Sequence, residues 1–213
     1  MQTDDLIALM AADARKPVTP FPVTRRIGLA AFIGAIASLV ILVLWLGVRD
    51  MAAASALPSY WMKTLYTSAL AGAGFLVTER LCRPGAKPTN GLAAMTAVFT
   101  LMLGAAVFQL MSTSEEGIGD ALLGSTWNSC PWRIAALATP GLFYCLLSMR
   151  RLAPTRPAFA GASAGLFVGG IAATVYGLYC TETSAAFTLI WYTCGIALCA
   201  AVGAVAGWRL LRW

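Results

Sequence analysis

Ile27–Val48 reads IGLAAFIGAIASLVILVLWLGV, twenty-two residues without a single charge. A helix needs about 20 mostly apolar residues to cross the hydrocarbon core of a bilayer, so this stretch reads as a transmembrane span. The rest of the chain repeats its character. Of 213 residues, 59% are apolar and 11% are charged, and the mean hydropathy is +0.75. A soluble globular domain carries roughly 25% charged residues, so too little charge is present to cover a watery surface.

Further spans are expected at about 62–78, 91–111, 133–149, 159–179 and 188–207, the fourth containing Pro140. The pattern predicts an all-α polytopic membrane protein, a six-helix transmembrane bundle over residues 27–213 preceded by a segment of 1–26. The first apolar run starts too late and runs too long for a cleavable signal peptide.

Positive charge sets the orientation. Arg15, Lys16, Arg25 and Arg26 precede the first span, Arg80, Arg83 and Lys87 separate the second from the third, and Arg150, Arg151 and Arg156 separate the fourth from the fifth. Arg209 and Arg212 follow the sixth, which puts twelve of the fifteen cations on one side and Arg49, Lys63 and Arg133 on the other. Both termini are therefore expected in the cytoplasm. The acids Asp50, Glu115, Glu116, Asp120 and Glu182 fall in outer segments. Tyr60, Trp61, Trp127, Trp132, Tyr176, Tyr179, Trp191 and Tyr192 gather near the outer boundary, where amphipathic rings anchor in the headgroup layer.

The net charge of +6 does not imply nucleic acid, because the cations lie between apolar runs rather than on one face. No Asp, Glu, Lys or Arg is expected in the middle of a span, which argues against a proton-coupled transporter. The chain has no histidine, hence no His-ligated haem or zinc, and no C-x-x-C pair for disulfide exchange. No catalytic residues or cofactor are expected. Gly161, Gly165 and Gly169, and again Gly203 and Gly207, recur at four-residue spacing. Such stripes let helices approach closely in lipid, within the bundle or between copies.

The first 26 residues have a different grammar. Thr3 can cap a helix whose first turn holds Asp4 and Asp5, where negative charge suits the helix dipole. Leu6, Leu9 and Met10, flanked by Ile7, give it an apolar side, and Pro17 ends it. The run Pro17–Pro22 favours an extended spacer. A helix of this length is marginal alone, so it either lies on the inner leaflet or docks into a groove of a cytoplasmic partner. The two adjacent acids disfavour anionic lipid and favour a protein.

Thr3-Asp4-Asp5-Leu6-Ile7, then Leu9, Asp13 and Pro17, resembles the opening of the NrsF-type membrane anti-sigma factors. The resemblance continues in Cys130 and in Cys180-x-Glu182, followed by Phe187, Trp191-Tyr192 and Gly195. Where the family pattern has His before and Pro after the second cysteine, this chain has Tyr179 and Thr181. The resemblance implies a six-span protein of the bacterial inner membrane. It would hold an extracytoplasmic-function sigma factor through Asp4, Asp5, Leu6, Ile7, Leu9, Met10 and Asp13. The competing reading is a small transporter or permease-like protein with an incidental N-terminal helix, and a membrane thiol oxidoreductase is disfavoured for want of C-x-x-C.

Cys82 is expected in a cytoplasmic loop and Cys145, Cys194 and Cys199 inside spans, whereas Cys130 and Cys180 fall at the outer side of neighbouring spans. A structural disulfide is one reading of that pair. The other is a sensor whose thiols change redox state or bind a soft metal ion, with Glu182 as an added oxygen ligand. The resemblance, in which such cysteines are implicated in responses to heavy metals and oxidants, supports the second.

Overall fold

The computed structural model describes residues 3–5, 7, 21–83, 85–150, 152 and 154–212. Among these, regular structure is entirely helical. The helices are α1 (Phe21–Trp45), α2 (Met51–Ser55), α3 (Pro58–Leu81), α4 (Thr89–Met111), α5 (Glu115–Leu123), α6 (Cys130–Arg150), α7 (Pro157–Tyr176) and α8 (Ala185–Leu210). Five of them, α1, α4, α6, α7 and α8, are long and apolar enough to cross a membrane. The expected second span is α3, a helix of 24 residues whose polar content, Lys63, Glu79 and Arg80 included, sets it apart from those five.

Local chemistry places the helix ends. The fixed φ of proline suits a first helical turn, and Pro58 and Pro157 open α3 and α7. Asp50 caps α2 by accepting from the amides of Ala52 at 2.9 Å and Ala53 at 3.4 Å. α1 ends three residues short of the expected Val48, because Gly47 takes a left-handed φ of 81° that an L side chain rarely adopts. α7 likewise stops at Tyr176 rather than Tyr179, where the chain turns toward Cys180. Pro140 does not break α6. In α8 the turn Thr188–Tyr192 is π-wound, a bulge that shifts the side chains C-terminal to it around the axis.

α7 is the central helix and packs on α8, α3, α6 and α1. Its contact with α8 is made by the glycine stripe: a Cβ on Gly161 would meet the Gly203 carbonyl, and one on Gly165 would stand 2.7 Å from Ala200 Cα. The stripe thus serves packing within the bundle. α1 meets α6 the same way, Gly34 against Gly141. By contrast α4 is the least buried of the long helices, and Leu101, Phe108 and Met111 are largely exposed along it, as a lipid-facing helix requires.

α3 runs antiparallel to α7 over the full height of the bundle. Lys63 reaches Cys180, the Thr67 hydroxyl accepts from Thr174 at 2.8 Å, Ala71 packs on Gly170 and Gly74 on Phe167. The rungs advance by three to four residues on α3 as they retreat on α7, so the two helices occupy the same depth.

Candidate functional site

At the end of α7 the chain turns, the Cys180 amide donating to the Tyr176 carbonyl at 3.1 Å. Lys63 of α3 lies beneath this turn with 1% of its surface exposed. A buried ammonium is costly unless its protons are bonded, and here Nζ donates to the Cys180 carbonyl at 3.1 Å and to the Glu182 carbonyl. Sequence reading set Lys63 among the outer cations. It is in fact wholly inside the protein, satisfied by backbone oxygens rather than by an acid.

Cys130, the first residue of α6, and Cys180 are both buried and both free thiols. They interact electrostatically with each other and with Lys63, and Arg49 acts on Lys63 as well. The Tyr176 and Tyr192 rings stand 5.7 Å apart beside them, with buried hydroxyls that have no partner of hydrogen-bond geometry among the described residues but interact electrostatically with both thiols. These two tyrosines, like Tyr60, are buried core residues, which corrects the expectation that they anchor at the interface; Trp61, Trp127 and Trp132 are exposed. Arg49 lays its guanidinium over Tyr60 at 5.2 Å, leaving Nε and Nη2 buried without hydrogen-bond partners among the described residues. Arg133 donates to the Tyr179 hydroxyl at 3.3 Å. The cluster is therefore two buried thiols beside a buried ammonium, with the Glu182 charge also acting on Cys130 and Lys63.

Glu182 does not join the thiols through its side chain. Its carboxylate accepts from the Ser125 amide at 2.8 Å, the Ser125 hydroxyl at 2.6 Å and the Thr126 hydroxyl at 3.5 Å. It braces the α5–α6 loop, where Gly124 at φ 56° leaves no room for a Cβ beside the carboxylate. Among the described residues no group of three His, Cys, Asp or Glu side chains is arranged to hold a metal ion. What the arrangement offers chemically is two buried, reduced thiols within electrostatic reach of each other.

The same end of the bundle contains a hydrogen-bonded lid that sequence reading missed. Gln109 of α4 accepts from the Ala185 amide at 2.6 Å, and Ser184 caps α8 while donating to the Ala121 carbonyl at 2.7 Å. Trp191 donates to the Leu122 carbonyl at 2.9 Å, which ties α5 to α8. Lys63 had a legible signal, a lone lysine five residues into a helix opened by Pro58; the lid had none, because each of these bonds joins a side chain to a backbone atom distant in sequence.

At the inner end, Glu79 of α3 accepts from the Thr24 hydroxyl of α1 and pairs with Arg83 one turn on. This joins α3 to α1 just after the 1–20 segment. Thr3, Asp4, Asp5 and Ile7 lie in helical backbone with exposed side chains, Thr3 inside the helix rather than capping it. Leu6, Leu9, Met10 and Asp13, the other expected partner-binding residues, lie outside the described residues. Cys82, in the neighbouring loop, is buried, and burial with the nearby Glu79 charge pushes its thiol up to about 12. It stays protonated and unreactive near neutral pH.

The family model described as the negative regulator of sigma F matches residues 10–213. Two curated proteins are each 40% identical over 215 residues, covering all of both chains: the anti-sigma-F factor NrsF of Caulobacter vibrioides (strain NA1000 / CB15N) and a protein described as a probable anti-sigma-F factor NrsF of Azospira oryzae. No solved structure matches.

Proposed function

This chain belongs to the NrsF family, the negative regulators of sigma F, and from that premise we propose how it holds and releases its partner. The family acts as anti-sigma factors and not as enzymes, so a sigma factor is the partner that the fold must serve. In the proposal the protein is a six-span protein of the bacterial inner membrane with both termini cytoplasmic. The observation supporting six spans is the antiparallel run of α3 along α7, from Lys63–Cys180 to Gly74–Phe167. At 1.5 Å per residue its 24 residues extend roughly 36 Å, enough for the hydrocarbon core. An even count keeps the termini together, and the twelve cations then face the cytoplasm. A reporter fused after Trp213 should be active only in the cytoplasm; periplasmic activity would remove one span and invert the sides.

The N-terminal helix sequesters an extracytoplasmic-function sigma factor, with Leu6, Ile7, Leu9 and Met10 as apolar anchors and Asp4, Asp5 and Asp13 meeting its cationic surface. The outer-side pair Cys130 and Cys180 receives the signal. The engagement of the Glu182 carboxylate by Ser125 supports a redox change of the two thiols over a metal ion coordinated together with Glu182. Each buried leucine contributes roughly 1.5–3 kcal/mol, so the double substitution Leu6→Asp with Leu9→Asp should weaken capture by at least about 100-fold. Co-sedimentation of the sigma factor with membranes that carry normal amounts of the variant measures this. Undiminished co-sedimentation would refute docking through this helix.

A further inference from the structure

A cavity of about 530 Å³ opens at the inner end of the bundle between α3, α4 and α7. Three cations, Arg83, Lys87 and Arg156, stand at its mouth, and no acid is among its lining residues. Arg83 Nε is buried there without a hydrogen-bond partner among the described residues, although Nη2 is held by Glu79. Apart from Thr155 and Ser163 the rest of the lining is apolar, with Val77 from α3, Leu92 and Met95 from α4, and Phe159 and Leu166 from α7. Met95 lies six residues into α4 and Leu166 nine residues into α7, roughly 9 Å and 14 Å below the helix starts. The site is thus cationic at the water boundary and apolar at acyl-chain depth.

We propose that this cavity binds an anionic phospholipid of the leaflet it faces, with the phosphate against Lys87, Arg156 and the Arg83 Nε and an acyl chain along Met95, Phe159 and Leu166. Its volume falls within the roughly 300–1,000 Å³ of small-ligand sites, and basic pockets between membrane helices suit acidic headgroups. A water-borne acidic peptide would be matched by the cations but not by a floor at this depth. The exposed Phe159 and Leu92 flank the opening toward lipid, giving a chain its way in. A lipid seated here rests beside the Glu79–Arg83 pair, where α1 is joined to α3.

The test uses the full-length protein in neutral detergent, with native mass spectrometry counting retained phosphatidylglycerol against phosphatidylcholine. Lys87 and Arg156 are exposed, so the double variant K87Q/R156Q should keep the wild-type thermal transition. Two such cations near a membrane surface are worth about a 30-fold preference for the anionic lipid, which the wild type should show and the double variant should lose. Equal retention of the two lipids by the wild type, or an unchanged preference in the variant, would overturn the proposal. Displacement of phosphatidylglycerol by millimolar inorganic phosphate would also overturn it, assigning the cations to a soluble anion.

Discussion

The two ends of α3 hold charge in opposite ways. At the outer end Lys63 is sealed in, bonded to two backbone carbonyls, and surrounded by polar atoms of Arg49, Tyr176 and Tyr192 that have no hydrogen-bond partner among the described residues. At the inner end Glu79 and Arg83 form a partly exposed pair one turn apart, with Thr24 as a third member. Buried and unbalanced groups make the outer end sensitive to any change in its thiols. The screened inner pair can form and break at small cost. A signal received at the first and expressed at the second is consistent with this division, and α3 is the one helix that carries both.

Removing the lysine should break the comparison most strongly. Lys63→Met leaves the buried Cys180 carbonyl without its donor, and bonds to a charged group are worth roughly 1.5–3 kcal/mol each. The variant should lose about 2–4 kcal/mol of stability, read as a lower thermal transition of the purified protein in detergent. A transition at the wild-type temperature would mean that the ammonium and its carbonyls contribute nothing net. The inner pair should respond far less. Glu79→Gln keeps an acceptor for Thr24 and loses only a partly exposed ion pair, so its effect should stay below about 1 kcal/mol in the same assay. Equal losses for the two variants would erase the distinction between the ends.

The fold was legible where chemistry is local. Apolar runs gave α1, α4, α6, α7 and α8 to within a few residues, and the glycine spacing in α7 and α8 pointed to their close seam. The extra length of α3 was less visible, since its first turn, Pro58–Trp61, and its last residues, Glu79–Leu81, are polar or interrupted and lie outside the expected span at 62–78. Only the tertiary partner, the carbonyl-lined turn after α7, makes Lys63 acceptable inside. The candidate site was legible in part for the same reason. Two cysteines beside the same turn follow from span order, but the direction of the Glu182 carboxylate depends on Gly124 and Ser125, distant in sequence and unmarked by any motif. The pairing of Glu79 with Thr24 across 55 residues was equally silent.

We propose that oxidation of Cys130 and Cys180 releases the sigma factor from the N-terminal helix. Oxidising Cys130 and Cys180 joins their sulfurs, and the two electrons and two protons they lose reduce one hydrogen peroxide to two waters. The direct measurement is the amount of sigma factor retained by the full-length protein in lipid nanodiscs before and after peroxide, with Cys130→Ser alongside. Both proteins should hold the sigma factor equally when reduced, peroxide should release it from the wild type, and Cys130→Ser should keep it. Retention by the oxidised wild type, or equal release from the serine variant, would contradict the proposal.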